Sequence, residues 1–375
     1  MLACSQEPRR NDYMRISGIA SVFPENYYTQ QQILDELANY WSSETDRLKA
    51  LNRFHHRVGV DGRYLALPIQ QYKEIASWGE ANRLWLEVAE KLGGCAISRA
   101  LTSAGLDKDA VGALIAVSIT GIASPSLDAH LVNKLSLPRG IRRIPIFGLG
   151  CVAGAAGLAQ AAEYVRAYPD RTAVLLSVEL CSLTWQRNDL SVANLISSGL
   201  FGDGAAAVVV TGEDVPEETF RRVGGSSRPI GTPEILGSQS SFYPDTEGVM
   251  GWDISESGFQ IVLSPDVPDV IHANLPGDVD RFLAQHGLSR EDIGSWVLHT
   301  GGPKVLQAMS RSLGLDDDVC HASWESLRRV GNLSSTSVLL VLEDIMLNHT
   351  PEPGTYGVLA ALGPGFCSEL VLLRW

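Results

Sequence analysis

The chain has 375 residues, 45% of them hydrophobic, so it is long enough for two ordinary domains or for one large layered fold. Its formal net charge of −13 argues against the basic surface that nucleic-acid-binding and membrane-surface proteins usually need. An anionic ligand must therefore meet a local basic patch.

The six cysteines are scattered without Cys-x-x-Cys spacing, which argues against a zinc site and against a dense disulfide framework. The histidines show no metal-ligand spacing either, so no metal is predicted. No signal-peptide pattern precedes the first strand, and no apolar run reaches about 18 residues. These features predict a soluble, cytoplasmic protein without membrane insertion, with a loose tail at residues 1–12.

In chain order, the first patterned segment carries Lys49, Arg53 and Arg57, which recur every four residues. A helix there would place three positive charges on one face. Short β-branched runs then predict strands at 113–118, 172–178 and 205–210, alternating with helical segments. This alternation predicts an α/β protein with buried strands.

Cys151 lies in a small-residue turn that opens an Ala-rich helix running to about Tyr168. A helix N-terminus presents unpaired N–H groups and a partial positive charge, so it would lower the pKa of a thiol placed there. The alternative is a small apolar side chain that packs between helix and sheet. The turn therefore predicts a nucleophile if suitable partners lie elsewhere in the chain.

The pattern around the first strand recurs in the second half of the chain. Gly105 precedes one strand and Thr120-Gly121 follows it, while Gly287 and Thr300-Gly301 flank another strand in the same way. The repeat predicts two related halves, 13–213 and 214–375, with two equivalent helix starts at one shared centre. The segment 214–258 is rich in Gly, Pro and polar residues, and it is predicted to be an irregular connection that contributes to a substrate lining.

The second half supplies candidate partners for the thiol. His299 ends a predicted strand at 295–298, and Asn332 stands at the polar start of a helix at 338–347. Each has a plain structural alternative, since Asn332 can be an N-cap and His299 a satisfied buried group. Cys, His and Asn in this order fit a papain-like hydrolase or a carbon–carbon bond-forming enzyme of the thiolase superfamily. The papain-type Cys signature is missing, which favours the second class.

Several motifs carry a resemblance that extends from about Met14 to Trp375. The motifs are Gly-Cys-x-Ala-Gly at 150–154, Glu-Leu-Cys-Ser-Leu-Thr at 179–184, Leu-Phe-Gly-Asp-Gly-Ala-Ala at 200–206, His-Thr-Gly-Gly-Pro at 299–303, Gly-Asn-Leu-Ser-Ser at 331–335 and Leu-Gly-Pro-Gly-Phe at 362–366. With these motifs the chain resembles a bacterial type III polyketide synthase, a chalcone-synthase-like member of the thiolase superfamily.

The resemblance implies a thiolase fold, five αβαβα layers built from two duplicated halves, and a homodimer. It implies that Cys151 carries an acyl starter delivered as acyl-CoA, while His299 and Asn332 stabilise the enolate of malonyl-CoA. CoA thioesters are then the substrates, and no cofactor is expected. An acyl carrier protein is the alternative source of the acyl group.

The resemblance also assigns binding residues. Phe201 is implied to gate the passage between a CoA tunnel and the reaction chamber, with core packing as its alternative. Phe259 resembles the second gate, although its spacing to Val267 departs from the plant pattern. The remaining implied substrate-binding residues are Lys49, Arg53 and Arg57 for CoA, for which a solvated face is the alternative, and Cys181, Thr184, Ser124 and Gly302 for the chamber.

Ser124 replaces a Met that, in plant members, reaches into the neighbouring subunit's cavity. The smaller side chain and the bacterial pattern around it favour a medium- or long-chain fatty acyl starter, with alkylpyrone or alkylresorcinol products. One alternative is a single-condensation enzyme similar to ketoacyl synthase III, which typically has His-Gln-Ala-Asn where this chain has His-Thr-Gly-Gly. An alternative of another class is a non-catalytic acyl-binding or assembly subunit.

Overall fold

A computed structural model of the chain describes residues 14–41, 45–220 and 231–375. The described residues form thirteen β-strands and ten α-helices. The strands are β1 (Met14–Val22), β2 (Asn26–Thr29), β3 (Gly62–Leu65), β4 (Val111–Val117), β5 (Arg142–Ile146), β6 (Thr172–Leu180), β7 (Asp203–Thr211), β8 (Glu234–Phe242), β9 (Met250–Ser255), β10 (Gly258–Leu263), β11 (Ile293–Leu298), β12 (Tyr356–Gly363) and β13 (Cys367–Arg374). The helices are α1 (Gln30–Tyr40), α2 (Thr45–His55), α3 (Trp78–Ala104), α4 (Leu127–Leu135), α5 (Ala153–Ala167), α6 (Val192–Leu200), α7 (Val267–Gln285), α8 (Pro303–Leu313), α9 (His321–Val330) and α10 (Ser337–Asn348).

Nine strands form one sheet in the order β11-β12-β13-β8-β1-β7-β6-β4-β5. In one half, β4 and β6 are parallel while β6–β7 and β7–β1 are antiparallel. In the other half, β11 and β12 are parallel while β12–β13 and β13–β8 are antiparallel. The two half-sheets meet where Met14 and Arg15 of β1 pair with β8. The same strand pattern on both sides of this seam confirms the predicted duplication.

The turns that precede β4 and β11 also match. Gly105 and Gly287 adopt left-handed φ angles of 69° and 70°, which suit glycine because it has no β-carbon. The amide of the next residue bonds back to the preceding helix in both cases, from Leu106 N to Leu101 O and from Leu288 N to Leu283 O. Equivalent helix ends therefore deliver the chain into β4 and β11.

Three large buried clusters fill the spaces between five layers, and the middle one spans both faces of the central helix layer. Successive residues of β6 point to opposite faces, so Leu175 joins one cluster while Val174 and Leu176 join another. The middle cluster is filled by α5 and α10, which contact strands of both half-sheets. Helix α3 covers the outer face of one half-sheet and α7 with α8 the outer face of the other. The predicted five-layered αβαβα thiolase fold is confirmed.

The prediction of an irregular connection over 214–258 is wrong for much of that segment. Strand β8 lies inside the sheet, and β9 forms a hairpin with β10. The polar run at 238–241 shows no apolar alternation, because exposed Ser238 and Ser240 alternate with residues that are polar as well as partly buried, so the strand that pairs with β13 was not recognised. Residues 224–227 and the predicted tail at 1–12 lie outside the described residues. Within the described ranges, no helix is long and apolar enough to cross a membrane.

Candidate active site

Cys151 lies in a short 3₁₀ turn, Gly150–Val152, that leads directly into α5. Gly150 has a left-handed φ of 55°, and a β-carbon there would lie 2.6 Å from Cδ of Pro364. Glycine at this position therefore allows the loop after β12 to pack directly on the turn. The Cys151 side chain is buried, with 8% of its residue surface exposed.

Asn332 is held by main-chain hydrogen bonds on both sides of Phe201. Its amide nitrogen donates to Leu200 O at 2.9 Å, and its carbonyl oxygen accepts from Gly202 N at 2.9 Å. Gly331 precedes it with a φ of 77°, and a β-carbon there would approach Leu200 O to 2.5 Å. The backbone of Asn332 is thereby fixed at the C-terminal end of α6.

The side-chain amide of Asn332 is oriented by two donors. Its Oδ1 accepts from Ser334 N at 2.7 Å and from Ser337 Oγ at 3.4 Å. Because the oxygen is engaged, the amide offers Nδ2–H groups in its other direction. Ser334, at a positive φ of 48°, places its Oγ 3.6 Å from Cys151 Sγ. Ser334 thus links the Asn332 segment to the thiol.

His299 follows β11, and its backbone nitrogen donates to Ala360 O of β12 at 3.0 Å. The residue is 1% exposed, and neither ring nitrogen has a hydrogen-bond partner among the described residues. Burial lowers the pKa of His299 to about 4, so the imidazole is neutral at pH 7 with one donor and one acceptor nitrogen. A buried ring with both nitrogens unpaired is suited to a polar ligand.

The prediction that the helix start lowers the pKa of Cys151 does not hold for the resting site. Burial raises the pKa of the Cys151 thiol to about 12, and the buried carboxyl of Glu179 raises it further. The neutral imidazole of His299 supplies no positive charge to offset these effects. A thiolate therefore requires that the thiol proton move to a nearby base.

Behind the turn lies a buried polar cluster centred on Glu179. One carboxylate oxygen accepts from Ser335 Oγ, and the other accepts from Ile119 N at 3.1 Å and Thr120 Oγ1 at 2.9 Å. Ser177 Oγ lies 2.8 Å from Ser335 Oγ. Burial raises the pKa of Glu179 to about 7. The cluster engages the hydroxyl groups of Ser335 and Thr120 without using His299.

A cavity with about 820 Å³ of empty volume, including its open mouth, adjoins the Phe201–Asn332 bridge. The side chains predicted to bind substrate that line it are Phe201, Phe259, Cys181 and Thr184. Most of the remaining wall is apolar and comes from α1, the segment after β3 and the β9–β10 hairpin. Phe259 also contacts the rings of Trp78, Phe147 and Trp252.

Comparisons with known proteins agree with this fold. Residues 5–214 match the family model described as "Chalcone and stilbene synthases, N-terminal domain", and residues 234–375 match its C-terminal counterpart. The chain belongs to the type III polyketide synthases. Enzymes of this family are decarboxylating, Claisen-condensing acyltransferases that use acyl-CoA and malonyl-CoA.

Individual relatives match along nearly the whole chain. The synthase is 47% identical to a 1,3,6,8-tetrahydroxynaphthalene synthase of Streptomyces peucetius subsp. caesius, over 96% of this chain and 93% of that protein. The crystal structure of a 1,3,6,8-tetrahydroxynaphthalene synthase from Streptomyces coelicolor matches with a TM-score of 0.86 at 30% identity, covering 96% and 99% of the two chains. PKS-I from the brown alga Ectocarpus siliculosus matches with a TM-score of 0.88 at 28% identity, covering 98% and 100%.

The basic residues differ in part from the sequence prediction. Helix α2 ends at His55, so only Lys49 and Arg53 lie on it. Arg57 N bonds to Phe54 O in the turn that follows, which takes Arg57 off the helix face. All three residues are exposed. The prediction of three cations on one helix face is therefore wrong for Arg57.

The two remaining predicted residues lie outside the cavity lining. Ser124 is exposed and does not line the cavity of its own chain. Gly302, with a φ of 122°, packs against Leu200, where a β-carbon would lie 3.2 Å from a side-chain methyl group. Gly302 thus brings the His299 loop against the residue that holds Asn332.

Three residues that surround this site, Ser334, Glu179 and Arg63, were not identified from the sequence. Ser334 and Glu179 stand inside recognised motifs, but their spacing carries no sign that they meet near Cys151. Arg63 stands in no motif, yet it is a fully buried cation that lines the cavity. A lone Arg in a strand pattern gives no such signal, because charged residues are seldom buried.

Proposed function

We propose that Cys151, His299 and Asn332 are the catalytic residues of the synthase, and that it builds a polyketide on Cys151 from malonyl-CoA. The observations that carry this proposal are the Cys151 Sγ–Ser334 Oγ contact, which joins the thiol to the Asn332 segment, and the unused hydrogen-bonding groups of His299 and Asn332. Among the described residues, His299 has two unpaired ring nitrogens, and the Asn332 amide is oriented so that its N–H groups remain available.

Loading begins with attack of Cys151 Sγ on the thioester carbonyl of an acyl-CoA. The thiol proton passes to a ring nitrogen of His299, which is neutral and can accept it. The CoA thiolate leaves and takes up that proton. The acyl group is then held on Cys151 as a thioester, and His299 is neutral again.

Extension needs an enolate at the same place. The N–H of His299 and the Nδ2–H of Asn332 donate hydrogen bonds to the thioester oxygen of malonyl-CoA, which stabilises the negative charge that develops as carbon dioxide departs. The enolate carbon attacks the acyl carbonyl on Cys151, and the Cys151 thiolate is the leaving group. A buried site favours this step, since water would protonate the enolate.

No step in this cycle changes an oxidation state or needs a Lewis acid, so we propose that the synthase works on CoA thioesters without a cofactor. All five cysteines in the described residues are free thiols. The cytoplasm keeps thiols reduced, and we propose it as the compartment. Lys49, Arg53 and Arg57 are proposed to bind CoA phosphates, because exposed cations attract phosphate in so acidic a chain.

We propose that malonyl-CoA is also the starter and that the product is a tetrahydroxynaphthalene. The support is the 47% identity to a 1,3,6,8-tetrahydroxynaphthalene synthase. Oxygens on alternate carbons in that name fit a chain of two-carbon units made by repeated condensation. A single condensation, as in the ketoacyl synthase III alternative, cannot build such a ring system.

A fatty acyl starter giving an alkylpyrone or alkylresorcinol is the second candidate. The apolar wall of the cavity favours it, because Ile33, Leu37 and Ile69 line space beside Cys181. A hydrocarbon chain placed there would gain free energy from leaving water.

A homodimer is proposed as the working state. Strand β5 is the last strand of the sheet, and most of its residues are exposed or half-buried. The loop that contains the exposed Ser124 leads into α4, which contacts β5. A second copy placed against this edge would bring Ser124 to the interface.

The test is incubation of the purified protein with malonyl-CoA alone, and then with acyl-CoA starters from acetyl to palmitoyl, with products identified by mass spectrometry. Cys151→Ala is the control. A tetrahydroxynaphthalene from malonyl-CoA alone supports the first candidate, and alkylated pyrones or resorcinols support the second. Absence of any Cys151-dependent product from CoA thioesters would overturn both, and would favour delivery by an acyl carrier protein or a non-catalytic subunit.

A further inference from the structure

Arg63 is a buried cation that the proposed mechanism does not use. It lies in β3, is 2% exposed and lines the same cavity as Phe201. Burial lowers the pKa of Arg63 to about 10, so the guanidinium is still charged at pH 7. A cation kept in such a place needs a reason, since desolvation of a charge is unfavourable unless its donors are satisfied.

The guanidinium donates to the end of α6. One Arg63 nitrogen, Nη2, bonds to Ser198 O, and the other, Nη1, bonds to Gly199 O and to Gln30 Oε1 at 2.6 Å. Gln30 Nε2 bonds to Gly199 O at 2.9 Å as well. The last carbonyls of a helix have no partner within it, and a guanidinium at that end also suits the helix dipole.

The next carbonyl of the same helix end holds the catalytic segment. Leu200 O accepts from Asn332 N, and Gly202 N donates back to Asn332 O. The contact is close, because a β-carbon on Gly202 would meet Val330 O at 2.6 Å and Arg63 Cβ at 3.2 Å. Three successive carbonyl oxygens of α6 thus accept hydrogen bonds. Ser198 O accepts from Arg63, Gly199 O from Arg63 and Gln30, and Leu200 O from Asn332.

We propose that Arg63 is a positioning residue that sets the direction of the Asn332 amide through the last turn of α6. Its two terminal nitrogens bond to protein oxygens, and only Nε lacks a hydrogen-bond partner among the described residues. The hydrogen bonds of the guanidinium are thus made to the end of α6 and to Gln30, so we infer that it acts through the backbone rather than on the substrate. The turn that carries Cys151 also packs against Pro364, a contact that does not involve Arg63. Loss of Arg63 should therefore impair the step that needs Asn332 more than the step that needs only the thiol.

The test separates these two steps and rests on the roles proposed above for Cys151 and Asn332. Decarboxylation of malonyl-CoA is measured in the Cys151→Ala background, and acylation of Cys151 is measured by intact-protein mass spectrometry in the single variants. We expect Arg63→Gln to lower the kcat of decarboxylation about 10- to 100-fold, with KM changed less than about twofold and acylation less than about threefold. Arg63→Lys, which keeps the charge but not the planar fork, should fall between.

Arg187→Lys is the matched control. Arg187 also donates to three main-chain carbonyls, those of Tyr72, Lys73 and Ile75, but these lie in the loop after β3 rather than at the Asn332 contact. It should affect both steps equally or not at all. If Arg63→Gln fails to fold, Gln30→Ala and Arg63→Lys decide, since each removes part of the same hydrogen bonding.

Equal loss of both steps in the Arg63 variants, or undiminished decarboxylation, would overturn the positioning role. Asn332→Ala is assayed in parallel. If it retains full decarboxylation, the proposed role of Asn332 is the part that fails, and this outcome is distinguishable from a failure confined to Arg63.

Discussion

Two short 3₁₀ turns occupy equivalent places in the two halves but do different chemistry. Gly150–Val152 leads into α5, and Ser334–Thr336 leads into α10. Each is followed by a helix of the central layer and then by a strand, β6 or β12, which pairs in parallel with β4 or β11. The middle residue is Cys151 in one turn and Ser335 in the other.

The surroundings decide which of these two residues is free to react. Ser335 Oγ donates to the Glu179 carboxylate and lies 2.8 Å from Ser177 Oγ. Glu179 stands near the end of β6, and the corresponding residue at the end of β12 is Gly363. A β-carbon on Gly363 would lie 2.8 Å from Val152 N, so no carboxylate side chain fits there. The duplicated fold thus provides two similar turns. The Ser335 hydroxyl in one of them is already hydrogen-bonded, which leaves the Cys151 thiol as the candidate reactive group.

Cys151→Ala should have the largest effect on product formation, because it removes the side chain that distinguishes the two turns. Product formation should fall by more than about 1000-fold, because the remaining turn has no free nucleophile. Decarboxylation of malonyl-CoA should persist, since it depends on His299 and Asn332. The two activities are measured by product mass spectrometry and by carbon dioxide release. Product formation at wild-type rates would contradict the assignment of Cys151.

His299→Gln tests how the Cys151 thiolate arises. Without a base, burial should keep the thiol protonated, so alkylation of Cys151 by iodoacetamide at pH 7 should slow by about 100-fold. Peptide mass spectrometry follows each cysteine separately. Cys95, which is partly exposed, serves as the internal control and should react unchanged. An unaltered rate at Cys151 would show that the thiol does not need His299.

Gly154→Ala tests the contact between the two turns. A β-carbon on Gly154 would overlap Ser335 O and lie 2.9 Å from a methyl group of Val338, so α5 and α10 must separate. We expect about a tenfold loss of product formation and a lower melting temperature. Gly140→Ala is the matched control, since nothing lies within 4 Å of the added carbon. Similar behaviour of both variants would contradict the tight contact.

Glu179→Gln should have the smallest effect, and it depends on pH. The folded pKa of Glu179, about 7, lies above its unfolded value of 4.5, so the stabilisation is present below pH 4.5 and is lost as pH rises through 7. Relative to the variant, the wild type should lose about 1–3 kcal/mol of unfolding free energy between pH 5.5 and 8. Urea unfolding at both pH values measures it, with the exposed Glu218→Gln as control. A constant difference would contradict the raised pKa.

The repeated pattern around Gly105 and Gly287 predicts the duplication, because short-range turns and strands follow from local sequence, whereas the five-layered fold was implied by the family resemblance. The candidate catalytic residues were predictable for the same reason, since each stands at the end of an element. Strand β8 was missed because its polar residues face partners far along the chain. The burial of Arg63 and the pKa of Cys151 were not predictable, since both depend on packing between distant segments.

The backbone bridge between Phe201 and Asn332 allows the cavity wall to change between members of the family. The hydrogen bonds that hold the backbone of Asn332 at this bridge are made by main-chain atoms, while the Phe201 side chain forms part of the cavity wall. Replacement of that ring can reshape the chamber and leave the amide in place. Substitutions in the cavity wall can therefore change the substrate range without displacing Asn332.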